Sequence, residues 1–541
     1  MRIRSGDGEI LGAGVLLGPD AVLTCAHVVP VDRPVLVDLV GMPGAAPVPA
    51  RADPRAWIPE SGGRGDPSGD VALLRLEHPH QADSAVLHRL PPTWNRAVRM
   101  YGFPEGLEHG VWFRARLAGL CGRDGRVQMY PEAPGEVARP GFSGAAVIDE
   151  ETGHVIGIVV SRYTDRDGLR LSFMIPTETV MRHLPQVREW VLGESAVDDT
   201  FVSQAVDRIG DVPFAERLAR WLEGGETEPV ETCRVAPEDS ARAAALRRAV
   251  TLADRELSPG DGDDLMSSAP PGTVPTVGSL DLAVDVTRRT TAEVAQRVCE
   301  RMGLRTRPDR SFMEPIREST LPLTIVVDGV DRAPDPSGLL ELLALLAERG
   351  SRLLLVFHTA GEERLRRVGA ELTFRYRLGL LTRRLAEAAD RGRQLADRLP
   401  RIVAEEEQAE RAVARVLALQ EHLSARQPSG APTGLTRLER DLDRYLKDVG
   451  KARSRIDRAI TRLDTALARR DVLRGRLEAS RTALRDSGAA EDVELAGHYR
   501  RAYDLLWRAP CDLPAAEQAV ECYLAAVRLL SARPETREVT S

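Results

Sequence analysis

Residues 141–147, GFSGAAV, set a serine between two glycines at the mouth of a small apolar run. Gly141 allows a tight turn in which its own N–H and that of Ser143 converge on one point. Two backbone donors aimed at one point can hold a developing oxyanion, where losing a single donor costs about 10²–10³ in rate. Gly144 keeps the space beside the serine open to substrate. Glycine and serine also fill ordinary turns. The motif therefore acquires chemical meaning only with a base and a carboxylate elsewhere in the chain.

Upstream, short β-type runs are separated by Gly, Pro and Asp: GAGVLLG, AVLTCAHVV, PVLVDLV, DVALLRL, AVRMYGF, HVIGIVV and LRLSFMIP. Many short strands with turn signals between them predict an all-β sandwich or barrel. GAGVLLG has the spacing GxGxxxG with no helix after it, so its glycines are read as places where strands pack closely rather than as a dinucleotide loop. His27 lies at the end of the apolar run AVLTCAHVV, and Asp70 opens DVALLRL after the turn-rich SGGRGDPSG. Each alone has a structural reading, a satisfied histidine and a turn aspartate. Together with Ser143 they supply a base, an orienting acid and a nucleophile. A serine hydroxyl needs a base to accept its proton. His27 can do so near neutral pH and return the proton to a leaving amine. Asp70 would fix the imidazole tautomer and stabilise the imidazolium.

In that order, TCAHVV, DVALLRL and GFSGAAV resemble the three motifs of the trypsin-like (chymotrypsin-fold) serine peptidases, over residues 10–185. The resemblance implies a double β-barrel with His27 and Asp70 on the first barrel, Ser143 on the second, and an oxyanion hole from the Gly141 and Ser143 N–H groups. It implies a substrate-pairing edge at Ser161 and a specificity pocket among Val137, Ser161, Arg162, Tyr163 and Phe173. Val137 is not acidic, which opposes a preference for Lys or Arg; small or medium apolar side chains are expected. Phe142 stands where secreted trypsins carry the acid that answers a newly cut N-terminus, so activation by N-terminal cleavage is not expected, nor is a propeptide. The cysteines of the secreted enzymes' usual bridges are absent, as in intracellular bacterial members.

The whole chain, 541 residues with net charge −7, exceeds one core. That charge opposes a general nucleic-acid or membrane-binding role, and no apolar run approaches the ~18 residues of a bilayer span. The N-terminus carries no evident signal peptide. Six scattered cysteines without CxxC spacing indicate neither metal nor disulfide framework, so a cytoplasmic protein without cofactor or metal is expected.

The domains read as a peptidase at 1–192, a helical connector at 193–225 and an α/β domain at 226–372. In the last, SLDLAVDV, TIVVDGVDRA and SRLLLVFHTAG are strands alternating with the helices TTAEVAQRVCERMGL and LLELLALLAERG, which indicates a parallel sheet. TIVVDGVDRA resembles the Walker B segment of STAND-type P-loop NTPases, with Asp328 and Asp331 as its acids. ALRRAVTLADREL followed by PPGTVP resembles the stretch after the phosphate loop in actinobacterial members. The loop itself is replaced by APEDSARA, Ala236 to Ala243, with Arg242 in the lysine's place. GxxxxGK[ST] needs glycines and a lysine to cradle phosphates. Arg332 follows Asp331 where a catalytic Glu would stand. A degenerate module without ATPase activity is expected.

Residues 375–488 carry Leu and Ala at heptad spacing on both sides of RQPSGAPTG, which predicts an antiparallel coiled-coil hairpin. Pro400 would kink its first arm. Residues 490–533 read as a helical pair resembling half of a TPR-like array, a small interaction surface at most, while the coiled coil is the expected surface for self-association or a partner protein. The sequence thus points to a serine endopeptidase acting on protein or peptide substrates, regulated by its C-terminal half. A scaffold that keeps the fold with little turnover is the alternative. Resemblance to actinobacterial peptidase–STAND chains implies a stress or defence role.

Overall fold

The computed structural model describes residues 1–396 and 461–531, apart from 43–44, 63–66, 81, 123, 133–139, 165–169, 203–209, 225–226, 260–268, 306–310, 462–464, 483, 485–492 and 508–510. The chain divides into two compact units, Met1–Tyr376 and Arg377–Ser541.

The first unit begins with Arg2–Arg4 (β1), Ile10–Ala13 (β2), Val15–Leu16 (β3), Ala21–Thr24 (β4), Val35–Asp38 (β5), Val48–Ile58 (β6) and Val71–Leu76 (β7). They form one sheet in the order β2-β1-β5-β6-β7-β4-β3. Because β2 runs into β3 through Gly14, the two ends of the sheet meet and it closes as a barrel. No helix follows GAGVLLG, as its spacing predicts.

The second sheet comprises Leu87–His88 (β8), Ala97–Gly102 (β9), Val111–Cys121 (β10), Arg126–Pro131 (β11), Ala146–Asp149 (β12), Val155–Thr164 (β13), Arg170–Pro176 (β14) and Val191–Leu192 (β15). Its order is β12-β9-β10-β11-β14-β13-β8-β15, and an added β12–β13 pairing closes it. The interior is apolar, with Val98, Met100, Leu117, Val127, Val147 and Ile156 fully buried. A short helix, Thr177–His183, follows β14.

Four parallel strands, Val230–Arg234 (β16), Leu282–Asp285 (β17), Thr324–Asp328 (β18) and Arg352–Phe357 (β19), form the third sheet in the order β16-β19-β18-β17. Alternation along these strands sends Leu282, Val284, Ile325, Val327, Leu353 and Leu355 to one face and Ala283, Val326, Leu354 and Val356 to the other. Helices Thr291–Met302 and Pro336–Glu348 cover the first face. The former starts in a Thr290–Glu293 capping box and ends at left-handed Gly303. Helices Val212–Glu223 and Ser240–Ala253 cover the second face. The helix expected in the connector is thus a layer of the α/β domain. Residues 196–198 also join its sheet edge, through Ala283 N–H to Ala196 O (2.8 Å) and Asp198 N–H to Ala283 O (3.0 Å).

Helix Glu362–Ala396 begins ahead of the expected 375 and seats Leu365, Val368 and Leu372 in the α/β core. Pro400 and most of the predicted hairpin, 397–460, lie outside the described residues. In the second unit, helices Val493–Trp507 and Leu513–Ser531 pack together. Leu473 and Leu477, from the heptad series, are buried against Ala502, Leu506 and Val520 of that pair.

At the edge of the second barrel His88 stacks on His154, ring centroids 4.0 Å apart. Burial, with His154, Arg301 and Arg89 nearby, pushes His88 from 6.5 to about 4. Burial likewise lowers His154. Below pH 6.5 the unfolded chain therefore takes up a proton that the folded chain refuses until about pH 4, so stability is lost across that window as pH falls. Urea midpoints should drop between pH 7 and pH 5 in the wild type, and less in His88→Phe; equal slopes would refute this.

Candidate active site

His27 sits in a single 3-10 turn, Ala26–Val28, directly after β4 rather than on the strand. Trp57 of β6 holds that turn, its indole N–H reaching the carbonyls of Ala26 (3.2 Å) and Val29 (3.1 Å). Asp70 immediately precedes β7, which pairs with β4, so the two residues come together at the ends of neighbouring strands. The His27 Nδ1 lies 2.7 and 2.9 Å from the two carboxylate oxygens of Asp70, and the His27 backbone N–H donates to the same carboxylate at 3.0 Å. Asp70 is completely buried and adopts φ +67°, uncommon for a non-glycine residue. The His27 ring keeps about one-fifth of its surface exposed.

Ser143 arrives from the second barrel, on the turn before β12. That turn is pressed against the first barrel: Ala13 N–H donates to Ser143 O at 2.8 Å. Thr24 Oγ1 in turn donates to Ala13 O at 2.7 Å. The Val159 carbonyl accepts from both Gly144 N–H (2.9 Å) and the Cys25 thiol (3.2 Å). One carbonyl thus ties the residue after Ser143 to the segment carrying His27. Gly144 (φ +82°) makes this approach possible, and Gly141 (φ +102°) lets the same turn close on its own barrel. A Cβ on Gly141 would stand 2.2 Å from Phe103 O, and one on Gly144 2.2 Å from Ala13 O. Ser143 itself is 5% exposed.

Among the described residues, Cys25, His27 and Asp70 form the one grouping of three potential metal ligands, their atoms within 4.8 Å. Burial, then Asp70, pushes the Cys25 thiol well above its ordinary range, which holds it as a protonated donor rather than a thiolate ligand.

Residues 12–158 match the family model of the trypsin-like peptidase domain. The N-terminal region is a trypsin-like peptidase domain. Serine proteases are also its neighbours among solved structures. The inactive form of the Rv3671c protease of M. tuberculosis is 25% identical over 34% of this chain and 87% of that one, with TM-score 0.25. The serine endoprotease from Yersinia pestis is 18% identical over 35% and 62%, TM-score 0.25. Mouse-brain neuropsin is 16% identical over 35% and 92%, TM-score 0.29. At these TM-scores the likenesses carry no argument, and the assignment rests on the family model. No curated protein matches the chain.

Elsewhere in the peptidase domain, Val137 lies outside the described residues. Ser161, Arg162 and Tyr163 lie on β13 beyond the part paired with β12, where the ladder with β14 also breaks register between Val160 and Tyr163. Phe173 is buried in the core that the first barrel shares with β13 and β14. Sequence reasoning missed Trp57 and also Asp124, whose carboxylate receives Gly69 N–H (3.1 Å), Ser68 Oγ (3.1 Å), His183 Nε2 (2.9 Å) and Arg182. Asp124 reads in sequence as an ordinary turn aspartate, and only the fold reveals its neighbours. Among the described residues no helix is long and apolar enough to cross a membrane.

In the α/β domain, His358 Nε2 lies 3.2 Å from Asp328, while its Nδ1 meets Val235 O at 2.8 Å. These contacts, the Asp328 hydrogen bond first, raise His358 above its ordinary value. Asp331 accepts from the N–H groups of His358, Thr359 and Ala360 and from the Thr359 hydroxyl, at 2.7–2.9 Å. Burial opposes its ionisation, but those donors prevail and hold it at about 2. Arg242 pairs with Asp211 (3.0 Å) and Asp239 (3.7 Å).

Proposed function

We propose that the chain is a serine endopeptidase that cuts protein substrates through Ser143, His27 and Asp70. The observation that carries this reading is the His27–Asp70 pair beside the Ser143 turn, within a domain of the trypsin-like family. With Nδ1 committed to Asp70, His27 has Nε2 left to take the Ser143 proton as the hydroxyl attacks the scissile carbonyl. The tetrahedral oxyanion would receive the N–H groups of Gly141 and Ser143. His27 then returns the proton to the leaving amine, and a water repeats the cycle on the acyl-enzyme. Substrate backbone would add to the free side of β13 at Ser161, with Val137, Arg162, Tyr163 and Phe173 shaping the pocket. A fluorophosphonate probe should label the wild-type chain at Ser143, and Ser143→Ala or His27→Ala should abolish hydrolysis of a cleavable protein. Combining the two should add little, because such residues act as a unit. Wild-type hydrolysis in Ser143→Ala would sink the assignment and leave the scaffold reading.

The α/β domain is read as a degenerate NTPase-like module. Its support is that Arg242, Asp328 and Asp331 are each engaged by neighbouring groups of the chain. ATP with Mg²⁺ should leave the melting temperature unchanged, whereas a ligand at a hundred times its Kd adds about 2.7 kcal/mol. A shift that disappears in Asp328→Ala would restore a working nucleotide site.

The helical C-terminal unit is read as the regulator, because it supplies surface for a partner or second copy and Phe142 removes the acid used in cleavage activation. Probe labelling of Ser143 should be faster in a chain ending at Tyr376 than in the full chain. Equal rates across a range of concentrations would make that unit a tether.

A further inference from the structure

We infer that Asp124 is a positioning residue for Asp70, and that the α/β domain anchors it there; the inference rests on the peptidase reading of the His27–Asp70 pair. Asp70 sits at φ +67°, so its backbone must be held from the preceding residues. Asp124, at the turn between β10 and β11 and 2% exposed, does this with one carboxylate. Oδ2 accepts the Gly69 N–H and Oδ1 the Ser68 hydroxyl, each at 3.1 Å. On the other side of Gly69, its carbonyl accepts from Arg126 Nη2 at 3.1 Å. Both backbone polar groups of the residue before Asp70 are therefore fixed by the second barrel.

The carboxylate of Asp124 is itself held from behind. Helix Thr177–His183 brings Arg182 and His183 onto Oδ1, and Thr179 Oγ1 onto the Asp124 carbonyl at 3.3 Å. One turn earlier on that helix, Glu178 reaches the α/β domain. It meets Arg301 at 2.7 Å and Arg255 at 3.6 Å, all three residues at most 2% exposed. Arg301 also donates to the carbonyls of Asp281 (2.9 Å) and Arg89 (2.8 Å), one on each side of the junction. Val277 of the α/β domain lies against Gly125, where a Cβ would stand 3.2 Å from it. A continuous series of contacts thus runs from Arg301 through Glu178, Arg182 and His183, Asp124 and Gly69 to Asp70. Asp124 acts through the geometry of Asp70, its carboxylate holding Ser68 and Gly69 rather than the His27 ring.

The test uses the full chain labelled with ¹⁵N-histidine. The His27 Nδ1 proton held against Asp70 gives a far-downfield signal, a readout independent of turnover. Asp124→Ala should broaden or remove it and slow fluorophosphonate labelling of Ser143 by about 10–10²-fold, the cost of a misplacement near 1 Å. Asp124→Asn keeps an acceptor for the Gly69 N–H and should recover part of both. Arg301→Gln keeps the Asp124 carboxylate but loosens its anchor and should change both in the same direction, with a double variant less than multiplicative because the residues share one path. A folded Asp124→Ala with unchanged signal and labelling overturns the inference, as does an Arg301→Gln chain indistinguishable from wild type. Should Asp124→Ala fail to fold, Asp124→Asn and Arg301→Gln decide by the same readouts. An unlabelled wild type whose downfield signal is lost in Asp124→Asn or Arg301→Gln would defeat the peptidase reading and leave the positioning role standing.

Discussion

The buried contact between Asp70 and His27 constrains everything around it. A carboxylate removed from water is tolerated only where donors replace its hydration. Here the His27 ring and the His27 backbone N–H both do so. Two donors from one residue fix the ring's direction as well as its distance. That in turn requires the 3-10 turn to be rigid, which the Trp57 indole ensures. It also requires Asp70 to hold an unusual φ, which the hydrogen bonds on Gly69 ensure. The two barrels also meet closely at the serine turn, where the Ala13 N–H donates to the Ser143 carbonyl at 2.8 Å. Gly144 removes the side chain that would keep them apart, and Gly141 lets the serine turn close on Phe103 of its own barrel.

Much of this is legible in the sequence because the residues concerned obey local rules. AVLTCAHVV and DVALLRL are apolar runs bounded by turns, and they form β4 and β7 where expected. Three parallel strands of the α/β domain are equally plain, but β16, VETCR, is masked by its polar residues. Strand β6 is not plain either, because Pro49 and Pro54 disguise it; the ladder to β7 is irregular between Ala52 and Trp57. Strand β10 hides behind Arg114 and Arg116, whose exposed faces alternate with buried Phe113, Ala115 and Leu117. Asp124 and Glu178 are illegible for a different reason. Their partners are distant in sequence, and nothing local distinguishes them from turn and helix-surface acids.

In the α/β domain, acids of the chain close the loops at the C-terminal ends of its strands. Strand β16 leads through a short loop into helix Ser240–Ala253, and Asp239 caps that helix by accepting the Arg242 N–H. A carboxylate at a helix N-terminus satisfies the donors that an anion would otherwise use. Asp331 is consumed in the same manner, four donors from residues 358–360 closing around it.

The junction between peptidase and α/β domain follows from the same chemistry. Buried ion pairs contribute little net stability, since desolvation offsets their attraction, whereas removing one partner costs about 3–5 kcal/mol. Glu178 with Arg301, and Arg96 with Asp149 at 3.1 Å beside the Met302 carbonyl, are pairs of this kind. Their consequence is geometric. A guanidinium fork meets a carboxylate or carbonyl in few orientations, whereas an apolar junction of equal area tolerates sliding. Arg301 bonds at once to Glu178, Arg89 and Asp281, so rotation of one domain on the other would strand a buried charge. The helix that carries Glu178 also carries Arg182 and His183, and the orientation of the α/β domain is thereby written into the seat of Asp70.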